Sequence, residues 1–226
     1  MDANINRLPR HTTPGKHRVI KYFLLTLLRI VARVDVQGLE NIPAGAFVVV
    51  VNHLSSFDTL TGIAVGPIRQ ATTFAAIEHR SDPFGGWILD QLGVIWVRRG
   101  EADREAIKLA LEEIKSGTLM ALAIEGTRSR TGGLQPGKTG PAFLASRTHV
   151  PMLPAAIWGT EKIISNLKRL RRSEVHVRLG RPFHLPEGRA NTEQLEDYTT
   201  QVMMKIAALL PPQYRGVYAD RVKDEG

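Results

Sequence analysis

A histidine and an aspartate lie five residues apart in the segment NHLSSFD, residues 52–58, directly after the apolar run FVVVV. A continuous run of β-branched residues predicts a strand buried on both faces. Ligands of α/β sheets bind beyond the carboxyl ends of the strands, so His53 is expected at a ligand-binding edge. Because five residues are too many for neighbours along a helix face, a turn must bring Asp58 to the imidazole ring.

A carboxylate hydrogen-bonded to one ring nitrogen fixes the tautomer and leaves the other nitrogen free to take a proton from a hydroxyl group. His53 and Asp58 would then form a general-base dyad that activates a hydroxyl of the substrate. In isolation, an aspartate at the start of a helix is more often only an N-cap. The interpretation therefore depends on other segments of the chain.

Two further apolar runs end in arginines. Residues 93–100 read GVIWVRRG, and residues 125–129 read EGTRS. The planar guanidinium group of arginine is well matched to a phosphate, although a single arginine is more often a solvated surface charge. Arginines that recur at strand ends indicate a site for an anionic substrate.

Four segments resemble, in the same order, the sequence blocks of the glycerolipid acyltransferases, the family of 1-acylglycerol-3-phosphate acyltransferases. They are NHLSSFD, GVIWVRRG, EGTRS and VPMLPA, and they extend from Asn52 to Ala155. The match departs from the family pattern at one point. The third block commonly follows Phe-Pro, whereas Ala123 and Ile124 precede it here.

The resemblance implies that His53 is the general base, that Asp58 orients it, and that an acyl group moves from acyl-CoA or acyl carrier protein to the sn-2 hydroxyl of 1-acylglycerol-3-phosphate. The product would be phosphatidate, and neither a metal nor a cofactor is expected. Another lysolipid, a glycolipid or an aminolipid is the alternative acceptor. Substrate contacts are expected from Asn52, Arg99, Glu125, Gly126, Thr127, Arg128 and Lys138.

Two other enzyme classes are disfavoured. Residues 132–139, GGLQPGKT, satisfy the phosphate-loop pattern of NTPases, but that loop directly follows a strand and here the polar segment EGTRSRT intervenes. No later apolar run ends in an aspartate that could hold magnesium. A serine hydrolase is disfavoured because the chain has no G-x-S-x-G segment.

These segments require strands that alternate with helices, which predicts an α/β fold with a mostly parallel or mixed central sheet flanked by helices. Strands are predicted at residues 47–51, 72–77, 94–98, 119–124, 152–158 and 175–179. Helices are predicted at residues 59–65, 84–91, 101–116, 140–147 and 193–210.

The N-terminal segment 1–35 is predicted to hold a loose lead-in, residues 1–15, and a helix from residue 16 to residue 34, while residues 36–226 form the catalytic domain. The longest uncharged run of the helix, residues 22–28, is far shorter than the roughly 20 apolar residues that span a bilayer. Basic residues lie beside its apolar face, as in helices that dock on membranes. The apolar face could equally pack on the core of the protein itself.

The 226 residues carry a formal charge of +8, which suits an anionic partner such as nucleic acid, a phosphorylated substrate or an anionic lipid headgroup, and the sign of the charge does not choose among them. The absence of cysteine excludes disulfides and thiol nucleophiles. With no secretory signal at the N-terminus, we expect a peripheral protein on the cytoplasmic face of the cell membrane. The alternative from another class is a non-catalytic module that binds anionic lipid or RNA, although nucleic acid is not expected. It is supported by Lys168, Arg169, Arg171 and Arg172, although this run could equally be a solvated helix face or a second membrane contact.

Overall fold

The structure is a computed structural model that describes residues 14–67, 71–83, 85–98, 103–186 and 188–222. The helices are α1 (Pro14–Val31), α2 (Phe57–Val65), α3 (Gly85–Gln91), α4 (Arg104–Lys115), α5 (Gly140–Thr148), α6 (Ile163–Leu167) and α7 (Thr192–Leu209). The strands are β1 (Ala32–Gln37), β2 (Val48–Val51), β3 (Ala71–Ala76), β4 (Ile95–Val97), β5 (Leu119–Ala123), β6 (Met152–Trp158) and β7 (Ser173–Leu179). Short 3-10 turns supplement them, and one of these, Thr160–Lys162, follows β6.

The seven strands form one mixed sheet in the order β1-β7-β6-β2-β5-β3-β4. Every neighbouring pair is parallel except β6 and β7. The predicted α/β class with a mostly parallel or mixed sheet is therefore confirmed. Because β7 runs against β6 and β1 runs with β7, the starts of β1 and β7 share an edge with the carboxyl ends of β2, β5 and β6.

The two faces of the sheet are covered differently. On one face, α4, α5 and α7 pack on the strands and enclose a continuous core that includes Val48, Val50, Met120 and Met203. On the other face, α1, α2 and α3 form smaller apolar clusters against the strands. The second face consequently leaves room between helices and sheet.

The six predicted strands correspond to β2 through β7, and the six predicted helices correspond to α1 through α5 and α7. The helix predicted from residue 16 to residue 34 is wrong at its end, since α1 stops at Val31 and residues 32–34 begin β1. Ala32 is fully buried and pairs with Ser173 of β7, so tertiary pairing overrides the helical pattern there. Pro14 and Gly15, predicted as part of the lead-in, are the first residues of α1. Residues 1–13 of the predicted lead-in, together with positions 84, 101 and 102 of two predicted helices, lie outside the described residues.

Helix α1 presents two different surfaces. Leu24 and Leu28 are buried in a cluster with Ala64 of α2, whereas an outer row of apolar side chains is exposed. The exposed row consists of Val19, Tyr22, Phe23, Leu27 and Ile30. Among the described residues, no helix is both long and apolar enough to cross a membrane.

Gly159 links β6 to the turn Thr160–Lys162 and lies close to the backbone of β7. This close approach can be tested by substitution. Its φ is 89°, and a Cβ placed there would lie 2.0 Å from the carbonyl oxygen of Glu174. Gly117 has a similar φ of 98° but nothing within 4 Å of such a Cβ. We expect Gly117→Ala to lower the free energy of unfolding by about 1 kcal/mol, the backbone cost alone. Gly159→Ala should lower it by about 3 kcal/mol, because a steric clash is added.

Urea denaturation of both variants and the unchanged chain measures these free energies. Equal losses for the two alanines would contradict the contact between Gly159 and the backbone at Glu174.

Candidate active site

The loops that follow β2 and β5 lie side by side at the carboxyl edge of the sheet. The backbone N–H of Ser129 donates to the carbonyl of His53 at 2.7 Å. In the opposite direction, the N–H of His53 donates to Oε1 of Glu125 at 3.1 Å. The two segments that were singled out as NHLSSFD and EGTRS are therefore held together by direct hydrogen bonds.

The predicted contact between His53 and Asp58 is present in the structure. Nδ1 of His53 lies 2.8 Å from Oδ2 of Asp58. The same oxygen accepts hydrogen bonds from the backbone N–H groups of Leu54, at 2.6 Å, and Ser55, at 2.8 Å. The carboxylate thus organises the turn that precedes α2 and holds the imidazole ring with one set of bonds.

The second carboxylate oxygen of Asp58 has a partner from another strand end. Oδ1 accepts a short hydrogen bond from the hydroxyl of Thr160, which lies just beyond β6 and is 1% exposed. Sequence reasoning did not single out Thr160. Its place two residues after a predicted strand was the one sequence signal, and that signal does not identify Asp58 as its partner.

These bonds determine what the ring of His53 can do. Because Oδ2 of Asp58 is the acceptor for the N–H groups of Leu54 and Ser55, it also acts as acceptor toward Nδ1 of His53, and the neutral ring keeps Nε2 as its own acceptor. The side chain of His53 is partly exposed, at 21%, and lines a cavity. Nε2 can therefore take a proton from a hydroxyl bound in that cavity.

Asn52 and Glu125 lie beneath the loops and use their polar atoms within the protein. The amide of Asn52 donates to the carbonyl of Ile157 and accepts from its N–H, both at 2.8 Å, so it joins β2 to β6. Glu125 is 2% exposed and accepts from the N–H groups of His53 and Gln135. Burial raises the pKa of Glu125, and these two N–H groups act against the rise. A contact of either side chain with substrate stays a prediction.

Arg128 lies at the mouth of the cavity, exposed, with Nη1 donating to Oγ of Ser56 at 3.1 Å. Gly126 and Thr127 line the same cavity. Gly126 has a φ of 69°, and a Cβ there would approach the Lys138 side chain at 3.3 Å, so Lys138 reaches the loop. Four of the predicted substrate contacts are therefore brought together. Arg99 lies outside the described residues.

The phosphate-loop pattern at residues 132–139 does not follow a strand. Strand β5 ends at Ala123, and the segment leads instead into α5. A Cβ at Gly137 would lie within 3.0 Å of side-chain atoms of Thr199 and Met203, so this stretch packs closely on α7. The geometry that the NTPase hypothesis required is absent here.

The cavity beside His53 measures about 740 Å³ and lies between the sheet and helices α2 and α3. Its lining is mostly apolar, and the sheet contributes small side chains at Ala75, Ala121, Ala123 and Ala155. Far from His53, the cavity meets a buried cluster of Phe47, Leu119 and Leu153. The space is of the size that binds small ligands, and an apolar chain fits its chemistry.

Comparisons with known proteins show the family to which the chain is related. The sequence profile of the family described as Acyltransferase matches residues 33–158. A chloroplastic 1-acyl-sn-glycerol-3-phosphate acyltransferase of Brassica napus is 31% identical over 158 residues, 67% of this chain and 45% of that protein. A lyso-ornithine lipid O-acyltransferase of Pseudomonas aeruginosa is 29% identical over 197 residues, 78% of this chain and 74% of that protein.

Among solved structures, the 1-acyl-sn-glycerophosphate acyltransferase PlsC of Thermotoga maritima has a TM-score of 0.64 and 28% identity. The match covers 82% of this chain and 76% of that one. The chain spans less than half the length of the Brassica relative.

The bond from Thr160 to Asp58 can be tested by substitution. In Thr160→Val, Oδ1 of Asp58 stays buried but loses its side-chain donor, so the carboxylate is held less firmly. We expect kcat to fall roughly ten- to a hundredfold, with little change in KM. A loss of this size is typical when a hydrogen-bond partner that orients a metal-ligating side chain is removed. Thr160→Ser keeps the hydroxyl and should restore most of kcat.

Steady-state kinetics of acyl transfer by wild type and both variants provide the measurement. Thermal unfolding of each protein checks that it is folded. If the valine and serine variants lose kcat equally, the hydroxyl has no orienting role.

Proposed function

Since the chain belongs to the acyltransferase family, we propose that it transfers a fatty acyl group from a thioester to the sn-2 hydroxyl of 1-acylglycerol-3-phosphate, which gives phosphatidate for phospholipid synthesis. The observation that carries the proposal is the hydrogen-bonded pair of His53 and Asp58 at the mouth of an apolar cavity. The names of several relatives support the acceptor. The donor is acyl-CoA or acyl carrier protein.

The reaction needs two proton transfers, one from the acceptor hydroxyl to His53 and one from His53 to the leaving sulfur. The acceptor hydroxyl attacks the carbonyl carbon of the thioester while Nε2 of His53 takes its proton. As the tetrahedral intermediate collapses, the carbon–sulfur bond breaks and the same proton passes to the leaving sulfur. An ester and a free thiol result, and His53 returns to its neutral form.

Asp58 supplies the charge that this cycle requires. When the ring of His53 is protonated, the carboxylate next to Nδ1 stabilises the imidazolium. Both carboxylate oxygens are already fixed by hydrogen bonds before substrate binds. The dyad therefore needs little rearrangement as charge develops, which lowers the barrier.

The acceptor phosphate lies, in this proposal, against the loop after β5. Arg128 offers a planar set of donors, and Thr127 adds a hydroxyl beside it. Lys138 contributes a second positive charge. A contact of the acceptor with Arg99, which lies outside the described residues, stays a prediction from the family resemblance. The apolar cavity behind His53 receives the acyl chain, so the thioester carbon is placed at the dyad.

The lipid substrates imply that the protein works at an anionic membrane surface, on the cytoplasmic face and as a peripheral protein. The exposed apolar row of α1 supports this proposal. Arg18 and Arg29 are exposed on the same helix and can meet anionic headgroups.

An aminolipid is the second candidate acceptor. It is favoured by the Pseudomonas aeruginosa relative, a lyso-ornithine lipid O-acyltransferase whose alignment extends over about three quarters of both chains. Such an acceptor would use the same dyad and cavity, and it would rely less on Arg128 as a phosphate contact.

The reaction and its base can be tested together. Purified protein is incubated with palmitoyl-CoA and 1-acylglycerol-3-phosphate in mixed micelles, with thiol release and the lipid product followed by mass spectrometry. His53→Ala should lower the rate by about a thousandfold or more, because the base and its oriented partner are lost together. His184→Ala, at an exposed histidine outside the cavity lining, should leave the rate unchanged. Equal rates for wild type and His53→Ala would refute the mechanism.

The same assay with lyso-ornithine lipid distinguishes the two acceptors. If phosphatidate is the product, Arg128→Gln should raise KM for 1-acylglycerol-3-phosphate by roughly tenfold or more, since a charge-assisted bond is lost. If only the aminolipid is acylated, the proposed acceptor is wrong and the second candidate stands.

The cavity predicts a preference for acyl-chain length. Ala121 lies two residues before Ala123 on β5, hence about 6.6 Å deeper along the strand. Ala121→Leu should fill the deeper part and shift the preference from palmitoyl toward shorter chains by at least roughly tenfold in relative kcat/KM, because a blocked cavity excludes the end of the longer chain. Ala121→Ser, which nearly keeps the volume, is the control.

Rates with acyl-CoA donors of graded length measure this preference. An unchanged length profile in the leucine variant would show that the acyl chain lies elsewhere.

A further inference from the structure

The turn between α6 and β7 exposes an unusually large amount of apolar surface. Leu170 is 95% exposed, and Ile164 and Leu167 on α6 are each nearly half exposed. Isolated apolar residues are common on protein surfaces. Three of them on one short helix and its turn form a patch, which we call the α6 patch (Ile164, Leu167 and Leu170).

The backbone at Leu170 makes this exposure more informative. Helix α6 ends in a Schellman motif, in which the N–H of Arg171 donates to the carbonyl of Asn166 at 2.9 Å and the N–H of Leu170 donates to that of Leu167 at 3.0 Å. Leu170 occupies the left-handed position of the motif, with a φ of 53°. Glycine or asparagine is usual there, because a larger side chain is strained. The chain thus keeps an apolar side chain at a position where the fold alone would favour glycine.

Cations surround the α6 patch. Lys168, Arg169 and Arg171 are exposed next to Leu170. Arg172 turns the other way, and its guanidinium donates to the backbone carbonyls of Arg29 and Ala32 at the end of α1. The turn is therefore fastened to α1, while its other three cations face solvent beside apolar side chains.

The patch lies on the same edge of the sheet as the catalytic pair. Ile163, the first residue of α6, is buried in one cluster with Leu24 and Leu28 of α1. Thr160, three residues earlier, donates to Asp58. The α6 patch, the exposed row of α1 and the dyad therefore belong to one contiguous region of the molecule.

We propose that the α6 patch inserts Leu170 into the headgroup layer of an anionic lipid membrane and forms a second membrane contact beside α1. The proposal rests on the proposed function, because a lipid substrate brings the protein to such a surface. Leucine and isoleucine gain free energy by leaving water, and the adjacent cations are attracted to anionic lipid. A nucleic-acid contact would favour aromatic side chains for stacking, and residues 163–172, IISNLKRLRR, include none.

Leu170→Gly separates this role from folding. Glycine relieves the left-handed strain and removes the apolar side chain, so the variant should unfold at the same or a higher temperature than wild type. Its partition coefficient on vesicles of phosphatidylcholine and phosphatidylglycerol, measured by co-sedimentation, should fall by about tenfold. Val217→Ala, at another exposed apolar residue that lies near the C-terminal end of the chain, should bind as wild type does.

The charge contribution has its own variant. Replacing Lys168, Arg169 and Arg171 together by glutamine should weaken binding about fivefold for each cation, with the loss confined to vesicles that contain phosphatidylglycerol. The control replaces Arg104, Lys108 and Lys115 of α4 by glutamine, which removes equal charge from the opposite face of the sheet. That control should retain most of the binding.

Three outcomes would overturn the proposal: wild-type binding by Leu170→Gly, equal losses in the two triple variants, or RNA binding that the α6 triple variant abolishes while vesicle binding persists. Vesicle binding does not depend on turnover, so it separates this proposal from the enzymatic one. If no acyl transfer is found yet Leu170→Gly binds vesicles weakly, the membrane contact of the α6 patch is supported and the proposed reaction is not. If acyl transfer in mixed micelles is normal and Leu170→Gly binds vesicles as wild type does, the proposed reaction is supported and the membrane contact of the α6 patch is refuted.

Discussion

The buried carboxylate of Asp58 is the constraint on which the site depends. A buried carboxylate is costly unless it is hydrogen-bonded, and here four donors surround it: the ring of His53, the N–H groups of Leu54 and Ser55, and the hydroxyl of Thr160. Three of these come from its own turn and the fourth from the end of another strand. The hydrogen bonds that this one carboxylate requires therefore shape the loop, orient the imidazole ring of His53 and join β2 to the segment after β6.

The sequence could indicate the features that local patterns encode. The run of valines predicts a buried strand, the following histidine and aspartate predict a dyad, and the structure brings their side chains to 2.8 Å. Strand β1 and the bond from Thr160 could not be predicted in this way, because each depends on a partner far along the chain. Ala32 belongs to a strand because β1 pairs with β7, where Ser173 is its partner. The helical pattern of α1 does not indicate that pairing. Asn52 and Glu125 show the same limit, since their polar atoms connect backbone segments that the sequence does not place together.

One face of the sheet carries most of the packed core, and the other face lines the cavity. Large side chains such as Met120 and Met152 fill the face under α4, α5 and α7. Alanines on the opposite face leave a space of about 740 Å³, and the side chains that line it make fewer favourable contacts than those of the packed face. A bound apolar chain would restore such contacts, so ligand binding and stability should be linked at this face. The cavity is thus a region beside His53 where close packing is absent.

The reversal of direction at β7 has a consequence for how substrates arrive. Because β7 runs against β6 and β1 runs parallel to β7, both strands start at the edge where His53 and Asp58 lie. Helix α1 precedes β1 and the turn after α6 precedes β7, so both flank this pair. If α1 and the α6 patch both bind a membrane, as proposed, these two contacts on one edge would restrict the tilt of the molecule at the membrane surface. A lipid could then approach by lateral diffusion, with its headgroup at the level of His53 and no need to cross bulk water. Under these conditions the rate is governed by substrate density per unit area, and dilution of the surface by inert lipid would slow it.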